Sequence, residues 1–560
     1  MDKRLIPIGV EDFAAIRIKN SYYVDKTQLI YDLVHDTDNA VTLFTRPRRF
    51  GKTLMMNMFD CFFNIQRKDG DTLFDGLDIM KYPDFCKENM NQYPVIFLSM
   101  KDVDGRNFQL AYKKLKNTIA DFCKKVTYLL KSDQIDADDI AMFLRLKSKE
   151  AEEDEIHASL LTLMRMMYTF YGKQVVLLID EYDVPLAKAH QNGFYREMLD
   201  VIRGIMSTSL KTNPYLKFAV VTGCLRIPKE SIFTGVNNFS SYSVLDTKFS
   251  NYFGFTQEEV EEFLSYYSLS DKMELTKEWY DGYLFGKTAM YCPWDVTNYI
   301  QALLDDAESE PKSYWENTSS NSAISAFFDM PNCDPSEKFE ILLNGGTIHE
   351  VIKDALTYEQ AYDSEENLWS ILLMTGYVTL AQPNRPSATL TELRIPNAEV
   401  AVIFQTAVKE QFKASIDDKK LRELMGALWD GKEEVAGRIL SDILWNTISY
   451  HDYKEDFYHA FLAGIFVGRG YPVDSNKERG LGRPDIDMRD KKNRRCIIIE
   501  AKHSESEAQM PHDCDLAIKQ IRKNQYAYNL NGYTKVLRYG VAFFQKTALI
   551  KLDPDKLPNE

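Results

Sequence analysis

The chain has 560 residues, of which 45% are hydrophobic, 12% aromatic and 27% charged. That is ordinary globular composition at a length for three or four folding units, and it excludes a chain disordered throughout, a collagen-like repeat and a small disulfide-stapled module. The net charge of −15 (68 Lys+Arg against 83 Asp+Glu) argues at first sight against a nucleic-acid partner, because phosphate contacts need positive surface.

The charge is unevenly spread. Residues 446–560 hold 19 Lys+Arg and 16 Asp+Glu, a balance of +3, which leaves −18 on the other 445. The longest apolar runs, such as Val175–Ile179 and Ile497–Ile499, fall far short of the ~18–20 residues that cross a bilayer. The N-terminal "MDKRLIPIGVEDF" has no apolar centre of a secretory signal, and the eight cysteines include no CxxC pair. A cytoplasmic chain with reduced thiols and no membrane partner is therefore expected.

In chain order, Ala40–Phe44 is a short apolar run that leads into "TRPRRFGKTLMMNMFDCFF". A strand, a Gly-Lys-Thr turn and a helix-period apolar pattern form the context of a phosphate-binding loop. Helical, charged sequence follows, including the acidic "DQIDADDIAMFLRLKSKEAEEDEI", which reads as a solvated face or insertion. "QVVLLIDEYDVPL" and "YLKFAVVTG" are buried strands ending at Asp180-Glu181 and Thr222-Gly223. Buried strands alternating with helices predict an α/β fold with a parallel sheet covered on both sides. Beyond residue 250 the pattern turns helical, and Thr256 with Glu259 forms a capping arrangement at the start of "TQEEVEEFLSYY". Asp305–Ser313 reads as a linker. Residues 360–413 run helix, "TGYVTL", a turn with Pro383 and Pro386, "TELRIPN", then a helix from Glu399, an order that suits a winged-helix-like unit. From residue 446 the order is helix, strand, strand, helix, strand.

Two constellations carry chemistry. In a phosphate-binding loop, backbone N–H groups cradle the phosphates, a lysine neutralises the terminal ones and a hydroxyl holds Mg²⁺. Gly51, Lys52 and Thr53 suit these parts, although the pattern's first glycine is here Arg46. Asp180, at the end of its strand, would order the Mg²⁺ water, and Glu181 would polarise the attacking water. Thr222 stands where a polar residue would touch the γ-phosphate or that water. Arg226, Arg48 and Arg49 are the candidates to stabilise charge developing on the γ-phosphate, and each also reads as a surface salt bridge.

The second constellation lies near the C-terminus in "EDFYHAFL", "KERGLGRPDIDM", "RRCIIIEAK" and "LAIKQIRKNQYAY". The two-residue period of a strand puts Glu500 and Lys502 on one face, while Asp485 begins the preceding strand with Asp487 on its own face. Two adjacent strands would then bring together carboxylates for Mg²⁺ and a lysine for the nucleophile or the phosphate, the set that phosphodiester hydrolysis uses. Glu455 is a further candidate ligand on the preceding helix, with His459 one turn along, and Gln520 on the following helix is placed to support the site. Arg489, Lys491, Lys492, Arg494 and Arg495 surround a hairpin between the two strands, and Lys519, Arg522 and Lys523 lie on the following helix; a DNA-contact role and plain solubility are both open for them.

With these residues in place, the chain resembles the bacterial family that pairs an AAA-ATPase-like N-terminal domain with a C-terminal PD-(D/E)XK nuclease-superfamily domain. The resemblance runs in order through "LIPIGVEDF", "YYVDKTQLI", "RPRRFGKTL", "VLLIDEYDVPL", "VVTGCLRIPKESIFTGVNN", "YDGYLFG", "LMTGYVTL", "LRIPNAEV", "EDFYHAFL", "GLGRPDID" and "IIIEAK". It implies a P-loop AAA-type domain over residues 1–250, a helical lid over 251–330, a middle region over 331–445 and a restriction-endonuclease-like α/β domain over 446–560. It implies too that Arg46 is a habit of the family, and that Tyr23, Asp25 and Lys26 shape the nucleotide pocket. Asp487 departs from the usual aliphatic pattern and leaves the role of the second acid open.

The expected function is an ATP-binding and ATP-hydrolysing protein coupled to a Mg²⁺-dependent nuclease acting on DNA, in genome defence or mobile-element biology. The alternative is a nucleotide-switched binding or signalling protein whose nuclease-like domain is a docking module. Because AAA-type sites often complete themselves across subunits, a homo-oligomer is left open.

Overall fold

The structure is a computed structural model. It describes residues 3–35, 40–67, 70–227, 232–233, 239–315, 324, 326–327, 330, 335–383, 390–415, 418–447, 458, 462, 473–474, 484–490, 492–526, 530 and 533–554. The chain divides into two compact units, Met1–Ser320 with His349–Val400, and Asn321–Ile348 with Ala401–Glu560. Among the described residues no helix is long and apolar enough to cross a membrane.

The first unit is built on a five-stranded parallel sheet of β1 (Val41–Thr45), β2 (Val95–Ser99), β3 (Val175–Asp180), β4 (Leu216–Gly223) and β5 (Phe239–Tyr242), in the order β2-β3-β4-β1-β5. Every residue of β1 and β3 is buried. That explains their continuous apolar runs, since a sheet covered on both faces has no polar side to alternate with. Helices Phe108–Lys125, Glu153–Tyr171 and Tyr195–Leu210 send Leu115, Leu163 and Ile202 into the same core as Leu43, Leu177 and Val221. The acidic stretch does not stand wholly apart. Its helix, Ala137–Ser148, buries Phe143 and Leu146 in this core, and its Asp139 is ion-paired to Arg165. Because β4 lies between β3 and β1, the carboxyl ends of these three strands are neighbours, which is where open α/β sheets bind ligands.

From β1 the chain passes through the loop 46–51 into α1 (Lys52–Phe63). Gly51 caps this helix in the left-handed region (φ 82°), with open space where a Cβ would stand. Glycine is required there by the backbone and not by crowding. The helices α2 (Gln257–Tyr266), α3 (Met273–Tyr280) and α4 (Pro293–Asp305) follow and share a core that includes Phe263, Tyr280, Val296 and Tyr299. The Thr256–Glu259 capping box is present as expected, and Glu259 also accepts from the buried Lys26 Nζ at 2.6 Å. That pair ties the N-terminal segment to α2.

Further along come helix Glu365–Thr375, an antiparallel pair between Thr379–Leu380 and Thr391–Arg394, and helices Ala398–Ser415, Asp418–Asp430 and Glu433–Thr447. The second unit carries a mixed sheet of β6 (Val473–Asp474), β7 (Ile486–Asp490), β8 (Arg495–His503), β9 (Lys535–Phe544) and β10 (Thr547–Leu552), in that order, with β8 and β9 parallel and the other neighbours antiparallel. Helix α5 (Met510–Lys523) packs on it. At Gly540 of β9, a Cβ would lie 2.2 Å from the Cys514 carbonyl oxygen of α5; only glycine lets the helix come this close to the strand.

Candidate functional site

At the end of β1, the buried Arg46 turns the chain. Its guanidinium donates to the carbonyls of Thr45 (2.8 Å) and Tyr242 (2.9 Å) and lies over the rings of Phe253 and Phe285. The arginine that displaces the pattern's glycine therefore joins the loop to β5 and to the aromatic residues beyond it. Lys52, the first residue of α1, points back over the loop, its Nζ donating to the carbonyls of Arg46 (2.9 Å) and Pro47 (2.8 Å). Those are contacts a phosphate would replace with stronger, charge-assisted ones.

Beneath the loop, a short chain of hydrogen bonds joins α1 to β3 and β4. Thr53 Oγ1 donates to Asp180 Oδ2 (2.8 Å), and Thr222 Oγ1 donates to Asp180 Oδ1 (2.6 Å). Asp180 is fully buried, and burial raises its carboxyl above the ordinary value against the pull of both hydroxyls. Glu181 follows in the left-handed region (φ 54°). Burial, and then the Asp180 charge, raise its carboxyl too. A carboxylate with a raised pKa beside a hydroxyl–carboxylate pair is suited to taking a proton from water.

A cavity of about 490 Å³ opens over the loop. Arg48, Arg49, Gly51, Lys52, Thr53 and Glu181 line it, together with Tyr23, Lys26, Phe255 and Trp294. Asp180 and Thr222 stand behind Thr53. Asp25 does another job: its carboxylate accepts from Thr27 N, Thr27 Oγ1 and Asp78 N and so holds a turn. The three candidate arginines separate. Arg226 is ion-paired to Asp354. Cys224, with Tyr358 and Asp183 behind it, holds the Arg48 guanidinium above its ordinary value against burial. Arg49 lies 4.1 Å over the ring of Trp294. The hard-oxygen pair of Thr53 and Asp180 fits Mg²⁺, and the loop with Lys52 fits a nucleotide phosphate tail.

Sequence reasoning missed Tyr182 and Asp183, the second half of "DEYD". Asp183 Oδ2 accepts from the backbone N–H groups of Cys224 and Leu225, both at 3.0 Å, and from Tyr358 OH at 3.1 Å. Tyr182 OH donates to Leu225 O (2.8 Å) and accepts from Ile227 N (3.0 Å). Together they fix the loop that follows Thr222. Their adjacency to Asp180-Glu181 was the available signal.

In the second unit, Asp487 is paired with Ile498 and Ile486 with Ile499. Continuing the register one step places Asp485 opposite Glu500. Asp485 Oδ2 accepts from Ala501 N at 2.7 Å, and Lys502 Nζ lies 3.8 Å from Glu500 Oε1. Gln520 of α5 donates to the same Glu500 oxygen. Asp485, Glu500, Lys502 and Gln520 thus meet as the sequence suggested. Asp487 has different company: Arg489 grips both its oxygens, at 3.0 and 3.2 Å from Nε, and Cys496 Sγ donates to it at 3.5 Å. Glu455 and His459 lie outside the described residues. Among the described residues no group of three His, Cys, Asp or Glu side chains is arranged to hold a metal. Two carboxylates are nevertheless donors of the kind Mg²⁺ takes, since it keeps most of its waters.

Residues 7–233 match the family model for predicted AAA-ATPase, named AAA-ATPase_like. Residues 453–552 match that for the PD-(D/E)XK nuclease superfamily. An uncharacterized protein in the vnfD 5′ region of Azotobacter chroococcum mcd 1 is 27% identical over 417 residues, which cover 73% of this chain and 70% of that protein. The two matched families bear out the paired resemblance read from the motifs, and the parallel sheet of the first unit and the mixed sheet of the second agree with them.

Proposed function

We propose that the chain binds and hydrolyses ATP at the 46–53 loop and cuts DNA, with Mg²⁺, at Asp485, Glu500 and Lys502. The observation that carries the first half is the Thr53–Asp180–Thr222 chain of hydrogen bonds beside Lys52. In this reading Lys52 leaves its loop carbonyls for the phosphates, and Glu181 accepts the proton of the attacking water. Thr222, buried behind Thr53, orients Asp180 and not the water as the sequence led one to expect. The second half rests on the cross-strand pair of Asp485 and Glu500 with Lys502 beside it. Bound Mg²⁺ would supply charge neutralisation and an activated water. The chain's own part is to hold the two carboxylates apart across the register and to offer Lys502 to the phosphate, while Gln520 fixes the orientation of Glu500.

The reading is tested by cleavage of single- and double-stranded DNA and RNA, with and without Mg²⁺ and ATP. Wild type is compared with Lys52→Ala, Asp485→Ala and Lys502→Ala. Expected are Mg²⁺-dependent cutting of DNA lost in the last two, and ATP turnover lost in the first. If no substrate is cut and the two C-terminal variants bind DNA like wild type, the nuclease reading fails and the docking-module alternative takes its place. Unchanged ATP turnover in Lys52→Ala would overturn the loop assignment.

A further inference from the structure

We propose that Arg49 is the cation that stabilises the terminal phosphate during ATP hydrolysis, and that Trp294, in the first turn of α4, is the residue that positions it. The inference rests on the nucleotide reading of the cavity and adds a route by which the lid segment governs turnover.

Three observations single out Arg49. It lines the cavity beside Lys52 and Glu181. Its backbone is left-handed (φ 72°), a conformation that non-glycine residues adopt rarely and usually where the surroundings impose it. Its guanidinium carbon lies 4.1 Å from the centre of the Trp294 ring, whereas the guanidinium of Arg226 is committed to Asp354. A cation–π contact engages the face of the guanidinium and uses none of its N–H donors, which a phosphate can then take.

The ring itself is fixed. The Trp294 indole N–H donates to Tyr314 O at 3.3 Å, and the far edge of the ring lies against Gly9, whose Cβ position would be 3.5 Å from Cζ3. Pro293 starts the helix that carries it, and the Arg49 carbonyl accepts from Cys292 Sγ at 3.8 Å. A rigid platform of this kind sets a catalytic side chain within the small tolerance that chemistry demands.

In the reaction, the water oxygen bonds to the γ-phosphorus as the bond from that phosphorus to the bridging oxygen breaks. The electron pair leaves with ADP, and Glu181 takes the water's proton. Charge gathers on the bridging and γ-phosphate oxygens, where Arg49 meets it. A shift of α4 would carry the platform with it and take the arginine off its aim.

The test is steady-state ATP turnover with ATP affinity measured separately by calorimetry on the full chain. Arg49→Gln should lower kcat by about 100-fold. Trp294→Ala should lower kcat by about tenfold with ATP affinity within about twofold of wild type, and Trp294→Tyr, which keeps an aromatic face, should restore most of the rate. Tryptophan emission should change on adding ATP in wild type and not in Trp294→Tyr. The proposal is overturned if Arg49→Gln turns over ATP like wild type. It is overturned equally if Trp294→Ala and Trp294→Tyr behave alike, whether at the wild-type rate or with a shared loss of affinity. Failure of wild type to bind ATP at all would take down the nucleotide reading itself, and calorimetry on wild type separates that outcome from the others.

Discussion

Arg46 stands where a phosphate-binding loop ordinarily has its first glycine, so Arg46→Gly restores the common pattern; it should damage the protein. The side chain is 0% exposed. It donates to the Thr45 and Tyr242 carbonyls at 2.8 and 2.9 Å and, more weakly, to Phe249 O at 3.4 Å, while the rings of Phe253 and Phe285 lie 5.2 and 5.5 Å from the guanidinium. Burial pushes its pKa down to about 10, so it remains charged at neutral pH. Charge-assisted hydrogen bonds contribute ~1.5–3 kcal/mol each, and each cation–π contact ~0.5–2 kcal/mol. Relief of the desolvation of the guanidinium offsets part of this, but the substitution also strands carbonyls inside the fold. The net loss should be about 3–5 kcal/mol, since each buried carbonyl left without its donor costs about 1–3 kcal/mol. In a unit of this size that lowers the melting temperature by roughly 4–6 °C. Thermal unfolding followed by tryptophan fluorescence, with ATP binding measured in parallel, checks both consequences. A variant that melts within about 2 °C of wild type and binds ATP as well or better would refute the structural role assigned to Arg46.

Three further outcomes follow from the same geometry. Burial, and then Asp180, raise the Glu181 carboxyl, so the acid limb of ATP turnover should lie above the ordinary glutamate range; a limb within that range removes Glu181 as the base. The stability effect has the opposite sense: the folded state takes up this proton before the unfolded state does, so lowering the pH through the folded value stabilises the nucleotide-free chain, and raising it again loses that gain. At the second site, Asp485→Asn should abolish cleavage with little change in melting, whereas Asp487→Asn should retain cleavage and cost about 1–3 kcal/mol through its pairing with Arg489; equal losses of cleavage would erase the distinction between the two acids. Gly540→Ala should push α5 off the sheet, since its Cβ would meet Cys514 O at 2.2 Å and Ile518 Cγ1 at 3.0 Å. Stability should fall by about 1–3 kcal/mol, and cleavage should fall with it as Gln520 is drawn away from Glu500; a variant matching wild type in both would show that the helix tolerates the shift.

The strands that hold the nucleotide residues were legible because both of their faces are buried, which writes itself into sequence as an unbroken apolar run. β2 and β5 were not read. β2 is five residues set between helical, charged segments, and β5 is "FSSY", every residue of it only partly buried, joined to the sheet through the backbone of β1. Backbone pairing leaves no mark on side-chain pattern. The same divide runs through the site. Lys52, Thr53, Asp180 and Glu181 are tied to local signals, a turn and a strand end. Trp294 meets Arg49, and Tyr358 meets Asp183, partners far away in sequence. No spacing rule joins such residues, because only the packed fold brings them together.

Electrostatics shows how far a residue count can stray from a field. The last fifth of the chain is basic by composition, yet Arg489 is paired with Asp487, Arg495 with Asp490, and Arg522 with Asp553. Arg495 also lies over the ring of Trp429, at 4.2 Å. These arginines brace the sheet, and their charge is largely cancelled within a few ångströms. Position matters as well. Arg494 precedes Arg495, which sits at the hairpin end of β8, five residues from Glu500, or about 17 Å at the rise of an extended strand. That is beyond the ~8–10 Å over which salt at physiological strength lets an exposed charge act. Positive charge near the carboxylate pair comes instead from Lys502 and from α5, where the exposed Lys519 and Lys523 are four residues apart on one helical face, next to Gln520. A phosphate backbone approaching Asp485 and Glu500 would be guided by that helix face, whereas Arg489 and Arg495 of the basic hairpin are spent on holding the strands together.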